Sequence, residues 1–152
     1  MLGLTKKTEY ALIALTHLAR EGETKRSARE IAEQHNVPLP LLMNVLKTLQ
    51  QKKLVKSTRG AHGGYALAAP ADLITLDAII QAMEGVVSLT QCTADDGGAT
   101  KGCCDRTGCP VRSPVKKIND QFRGFLRTVT LSQLSNRSVG ENTLTELAVQ
   151  LG

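Results

Sequence analysis

Apolar residues recur at helical spacing from the start of the chain. Tyr10, Ile13, Ala14 and His17, with Leu18 beside them, predict a buried stripe on a helix from about Thr5 to Arg20. Gly22 and the polar run Glu23-Thr24-Lys25-Arg26 end it. Ser27-Ala28-Arg29-Glu30 then has the capping-box pattern, in which a Ser hydroxyl and a Glu carboxylate reciprocally satisfy free backbone N–H groups. The helix it opens carries Ile31-Ala32 and stops near Asn36. Val37-Pro38 predict a tight turn, and a longer amphipathic helix follows through Leu41, Leu42, Val45, Leu46 and Leu49. Two helices joined this way predict a helix-turn-helix.

The period then changes. Lys52-Lys53-Leu54-Val55-Lys56-Ser57-Thr58 and Tyr65-Ala66-Leu67-Ala68 alternate as strands around the glycine-rich Arg59-Gly60-Ala61-His62-Gly63-Gly64. A β-hairpin directly after a helix-turn-helix is a wing, and its glycines let the backbone take φ > 0 and approach a phosphate or groove floor closely. Pro70 breaks the chain, Thr75 caps a helix from Leu76 to about Glu84, and Gly85 stops it. From Cys92 to Gly108 there is no periodicity, which predicts a loop. Ser113-Pro114 predict an N-cap followed by Pro at the first helical position. The helix beyond shows Val115, Ile118, Phe122, Phe125 and Val129, whose steps of 3, 4, 3 and 4 make a heptad-like seam. A twin helix across a dimer axis buries that seam most simply; packing onto the first helix of the same chain is the alternative. Thr130 with Gln133 starts a last short helical piece.

The expected fold is mainly α: a winged helix-turn-helix with a small β-hairpin wing, a cysteine-bearing loop and a long dimerisation helix. Its expected divisions are a winged-helix DNA-binding domain (1–70), a connecting helix and cluster-binding loop (71–112), a dimerisation helix (113–134) and a loosely ordered tail (135–152). The 152 residues amount to about one domain. Aromatics are only 3%, with no Trp, so the core has to be built from Leu, Ile, Val and Ala. No stretch approaches the ~18 apolar residues of a membrane helix, and no small-residue cleavage site follows the first apolar run. A cytoplasmic protein with no membrane partner is expected.

Net charge is +5 but unevenly spread: residues 1–70 carry 11 Lys and Arg against 5 Asp and Glu, and residues 71–152 carry 8 against 9. The excess of positive charge sits wholly on the predicted winged helix, which suits a polyanion. Lys25, Arg26, Arg29, Lys52, Lys53 and Lys56 are candidates for phosphate contacts, which give affinity without sequence information. On the second helix of the motif, Asn44 and Lys47 are the polar candidates for reading base edges, with Pro40 in its first turn. Arg59 at the wing tip suits a narrow, electronegative minor groove. His17, His35 and His62 are most simply structural, none having metal-ligand spacing to the cysteines; His62 joins the DNA-contacting candidates by its place in the wing.

All four cysteines fall within 18 residues, as Cys92, ten residues, Cys103-Cys104, four residues and Cys109. In a reducing compartment such clustering favours metal over disulfide. Zinc would prefer two C-x₂₋₄-C pairs, and only Cys104 to Cys109 has that spacing. Three or four thiolates in a glycine-rich loop suit an iron–sulfur cluster. A redox disulfide through Cys103 and Cys104 stays open, although a vicinal ring is strained.

Several segments carry a family resemblance: Leu4-Thr5-Lys6-Lys7-Thr8-Glu9-Tyr10-Ala11-Leu12, the wing from Arg59 to Tyr65, Ala82-Met83-Glu84-Gly85 before Cys92, and Phe125-Leu126 followed by Val129-Thr130-Leu131. Over residues 1 to about 134 the chain resembles the IscR/NsrR-type (Rrf-two superfamily) iron–sulfur transcription regulators of bacteria. The resemblance implies a homodimer held by the helix around 114–129 and bound to a palindromic site in double-stranded DNA. It further implies a [2Fe–2S] cluster, favoured over [4Fe–4S], whose state tunes DNA affinity. Cys92, Cys103 and Cys109 are the ligands so implied. The gap after Cys92 is lengthened around 95–101, and Cys104 is extra, so it competes with Cys103. Some members supply a His three residues after the last cysteine; Arg112 stands there and cannot ligate. Others supply a carboxylate from the partner's first helix, where this chain has Glu9, so Glu9 and Cys104 are the alternative fourth ligands. Met43 replaces an acidic residue of the best-known members, so their operator sequence does not transfer.

No Ser/His/Asp set, phosphate loop or carboxylate pair points to catalysis. The function expected is a DNA-binding regulator, most simply a repressor, sensing cluster status, redox state or nitric oxide, with control of cluster assembly the first expectation. The alternative is a zinc- or thiol-based adaptor whose winged helix contacts protein.

Overall fold

The computed structural model of the chain describes residues 3–60, 63–89 and 110–136. His62, Cys92, Cys103, Cys104, Cys109, the lengthened gap at 95–101 and all but the first two residues of the tail lie outside the described residues. The elements run α1 (Lys6–Arg20), α2 (Ala28–His35), α3 (Leu39–Gln51), β1 (Val55–Thr58), β2 (Gly64–Leu67), a 3₁₀ turn (Ala71–Leu73), α4 (Leu76–Glu84), α5 (Arg112–Thr128) and α6 (Leu131–Ser135). This is the expected mainly helical winged helix-turn-helix.

Helix α1 is central, packing against α2, α3, α4, α6 and β2. Its innermost face is Ala11, Ala14, Leu15 and Leu18, all at 0% exposure. Of the expected stripe, Ala14, His17 and Leu18 are buried, while Tyr10 and Ile13 are half-buried at the edge of that face. With neighbours on several sides, the apolar belt of α1 is wider than a one-sided helix needs, so periodicity marks it without finding its centre. The capping box forms in both directions: the Ser27 N–H donates to Glu30 Oε2 at 2.7 Å, and the Glu30 N–H to Ser27 Oγ at 3.2 Å. In α3, Leu42, Val45, Leu46 and Leu49 face the core at the i, i+3, i+4, i+7 spacing. Leu41, expected with them, is 49% exposed because it falls off that face.

The first strand begins later than predicted. Lys52, Lys53 and Leu54 close α3, the Leu54 N–H donating to Leu49 O at 2.9 Å while Lys53 takes φ 60°. In the hairpin Val55 pairs with Leu67, Lys56 with Ala66, Ser57 with Tyr65 and Thr58 with Gly64. A third segment joins it unforeseen: Arg26 and Tyr65 exchange backbone bonds of 3.0 and 2.8 Å. The glycines at the wing's end answer close backbone approaches, Gly64 to this third segment and Gly63 to the turn itself. A Cβ on Gly64 would sit 2.8 Å from Arg26 O, and one on Gly63 would sit 2.3 Å from Thr58 O.

Thr75 caps α4 by accepting from the Ala78 N–H at 3.2 Å, and Gly85 ends the helix, as expected. Helix α5 starts at Arg112, with Val111 before it making no side-chain cap, so Ser113 is not its N-cap. Pro114 is tolerated there because first-turn N–H groups have no intrahelical acceptor. Residues 113–134 hold two helices, divided at Val129-Thr130, and Thr130 with Gln133 forms a second capping box. Leu131 is fully buried in the same core as Leu15, Ile31, Leu46 and Ile79. One aliphatic core therefore ties α4 and α6 to the helix-turn-helix.

Candidate nucleic-acid interface

Opposite the buried face of α3, Pro40, Met43, Asn44 and Lys47 are all exposed, again at the i, i+3, i+4, i+7 spacing. Asn44 and Lys47 thus stand where base-reading side chains have to stand, and the Asn44 carbonyl accepts from the Thr48 hydroxyl at 3.0 Å, which leaves the Asn44 amide outside that bond. Lys25, Arg29, Lys52, Lys53, Lys56 and Arg59 are exposed too. Of these, Arg29 comes from α2, Lys56 from β1 and Arg59 from the wing's end.

Arg26 departs from its expected role as a phosphate contact. Its Nε donates to Glu21 Oε2 at 2.9 Å, Nη2 also bonds that oxygen, and Nη1 lies 3.9 Å from Glu30 Oε1. The bond and charge of Glu21 hold its pKa above the ordinary arginine value. With its charge offset by a carboxylate, Arg26 braces the C-terminal end of α1 against the wing instead.

Behind this surface His17 and His35 join α1 to α2, His17 Nδ1 lying 3.1 Å from His35 Nε2. Their rings meet edge to face, 5.2 Å between centroids. His17 is buried, its Nε2 has no hydrogen-bond partner, and burial followed by His35 lowers its pKa against the opposing pull of Glu21. The structural reading of these two histidines fits that geometry.

The cysteine segment itself lies outside the described residues, but the chain leading into it is held at two points. The buried Asn119 of α5 accepts from the Leu89 N–H through Oδ1 at 3.0 Å. Glu84, at the end of α4, accepts through Oε1 from the Thr5 N–H at 2.8 Å and the Thr8 hydroxyl at 2.5 Å. Those two donors, the hydroxyl foremost, lower the Glu84 pKa. The residues before Cys92 are thus tied both to α5 and to the first turn of α1, the turn that carries Glu9. Glu9 meets Lys6 Nζ at 2.5 Å, a pair on the surface with side chains 77% and 44% exposed for Lys6 and Glu9. An exposed ion pair of this kind is worth little, so Glu9 stays available to a stronger partner. Sequence reading missed Glu84 and Asn119 as holding residues. For Asn119 a signal existed, since a polar residue four after Val115 and three before Phe122 interrupts an apolar face.

The seam of α5 is split. Val129 is buried and Phe125 half-buried, whereas Ile118 is 54% and Phe122 37% exposed. Val111, just before the helix, is 58% exposed. Among the described residues the seam is covered at its C-terminal end and half-covered at Val115, while Ile118 and Phe122 between them stay exposed. Leu4, Ile80, Val86, Phe122 and Leu126 line an open groove beside it.

Comparison with known proteins now bears on this geometry. Residues 4–137 match the family described as "Rrf2: Iron-dependent Transcriptional regulator". The chain belongs to the Rrf2 family. Among its Rrf2 relatives, the HTH-type transcriptional regulator IscR of Enterobacter sp. (strain 638) is 31% identical over 134 residues, covering 88% of this chain and 79% of that protein. Among solved structures, CymR (YrzC), the global cysteine regulator of B. subtilis, superposes with a TM-score of 0.73 at 31% identity, covering 89% of this chain and 97% of CymR. T. potens IscR superposes with a TM-score of 0.63 at 25% identity, covering 99% and 93%. The chain is accordingly a transcriptional regulator of Rrf2 type and not an enzyme. Among the described residues no group of three or more His, Cys, Asp or Glu is placed to hold a metal ion, and no helix is long and apolar enough to cross a membrane.

Proposed function

We propose that this Rrf2 protein is a homodimeric repressor that grips a palindromic duplex site, with the grip set by an iron–sulfur cluster on Cys92, Cys103 and Cys109. The observation that carries the DNA-binding part is the face of α3, where Asn44 and Lys47 are exposed directly opposite Leu42, Val45, Leu46 and Leu49. On this reading residues 1–70 bind DNA. Asn44 and Lys47 meet base edges, with Pro40 seating the helix; Arg29 and Lys56 meet phosphates, Arg59 enters the minor groove, and His62 stands beside it in the wing. Pairing falls to residues 113–134, since the exposed Ile118 and Phe122 form an apolar face that a second copy of α5 covers.

Residues 71–112 hold the cluster. Four clustered thiols match the soft donors such a group takes, and Glu9 or Cys104 completes the set. A bound cluster supplies a centre that changes charge on reduction and is lost to oxidants or nitric oxide; a [2Fe–2S] form is favoured. The chain's own part is to hold the two ends of that segment. Asn119 fixes Leu89, Arg112 opens α5 just after Cys109, and Glu84 fixes the first turn of α1. Disturbance in the segment therefore reaches the pairing helix and α1, on which α2 and α3 pack. The family's description as iron-dependent and the likeness to IscR support this reading.

A second reading draws on the equally close likeness to CymR, a cysteine regulator. On it the four cysteines work as thiols or hold zinc, and the winged helix is regulated without iron. Iron and acid-labile sulfide analysis of the full chain purified without oxygen, with its visible absorption, separates the two. The proposal predicts stoichiometric iron and sulfide, lost on Cys92→Ser, Cys103→Ser or Cys109→Ser. A colourless protein with zinc or no metal would overturn it.

A further inference from the structure

We infer that Met43 reads thymine: its side chain contacts a thymine C5-methyl group in the major groove and sets part of the sequence preference. The inference rests on the DNA-binding reading above and adds a base preference to it. The Met43 side chain is large, apolar and 51% exposed. It falls within the Pro40–Asn44–Lys47 face in the first half of α3, whereas the exposed Leu41 points about 160° away from it round the helix. Met43 stays exposed although the core of the same helix is complete with Leu42, Val45, Leu46 and Leu49.

The surroundings select the occupant. Lys47 shares this face, and Arg29, Lys56 and Arg59 stand exposed on the neighbouring elements of the winged helix. Such an arrangement suits a polyanion rather than a second apolar protein surface. In a duplex major groove the thymine C5-methyl is the one apolar group on the base edges. A thioether can make no hydrogen bond of reading quality there, so burying a methyl is the contact open to it. Methionine's unbranched, flexible chain also lets it reach sideways to find one. Asn44 beside it is suited to the adenine of the neighbouring pair. The preference so described is for thymine and adenine beside each other under the first half of α3.

Duplexes selected from a random-sequence pool by the full chain, purified without oxygen, supply the probe. The selected site is then synthesised with thymine or with deoxyuridine, which lacks only the methyl, at each position in turn. We expect thymine in the selected half-site and about a fourfold loss of affinity for each contacted methyl removed, at fixed salt. Met43→Ala binds the thymine and deoxyuridine duplexes alike, while Met43→Leu keeps the difference. A selected site whose deoxyuridine form binds as tightly as its thymine form overturns the inference and leaves DNA binding standing. Enrichment of no duplex at all overturns both.

Discussion

Residue-scale chemistry decides how this surface is armed. Lys47 is exposed on the reading face and Arg26 is committed to Glu21, so two cations from the same basic half do different work. Lys56→Ala, at an exposed cation assigned to phosphate, is expected to lower the slope of log affinity against log salt by about one, the value for one lost phosphate contact by a cation. Arg26→Ala is expected to leave the slope nearly unchanged while lowering stability, because its charge is already paired. Binding isotherms across a salt series check both. His17 gives a pH dependence. Burial and His35 hold its folded pKa below the ordinary 6.5, against Glu21 and Glu30, with Arg26 reinforcing the lowering. As pH falls below about 6.5 the unfolded chain binds a proton that the folded chain refuses. The stability from this site is therefore full at higher pH and declines as pH drops from about 6.5 towards the lowered folded value. Urea midpoints between pH 7.5 and 5.5 should fall in the wild type and fall less in His17→Gln.

At the scale of elements, most of the fold was legible and the ties between elements were not. Capping residues announced themselves: Ser27 with Glu30, Thr75, and Thr130 with Gln133 all act as their spacing predicts. These are local hydrogen bonds, and local rules find them. Bonds across long separations have no such signature. The Arg26–Tyr65 bridge, the bond from Leu89 to Asn119 and the clasp of Glu84 on Thr5 and Thr8 span 30 residues or more. Leu41 is exposed although it stands in the apolar pattern of α3, because a run of leucines masks which one leaves the face. Gly63 and Gly64 were legible as turn formers, but the closeness of Gly64 to Arg26 depends on that unseen third segment. Gly64→Ala is expected to cost about 1–3 kcal/mol by overpacking against backbone, seen as a lower Tm. Asn119→Ala should cost about 1–3 kcal/mol by orphaning the Leu89 N–H. It should also raise cleavage by protease at the residues before Cys92.

Across the whole molecule, a basic first half, a partly covered α5 and a thiol-rich segment between them divide the proposed work. Among the described residues the middle of the α5 seam stays exposed at Ile118 and Phe122, and Phe122→Glu or Ile118→Glu is expected to convert the proposed dimer to monomer in sedimentation, leaving the monomer folded. The basic first half and the cysteine spacing were visible from composition alone. How the thiols are arranged was not, because a Gly- and Asp-rich segment has no periodicity to read. The most direct test of the central claim pairs two binding curves on one selected duplex, from the same anaerobic preparation before and after iron is stripped. The account predicts a change in affinity of tenfold or more at every salt concentration, abolished in Cys103→Ser. Superimposed curves across the series would contradict it.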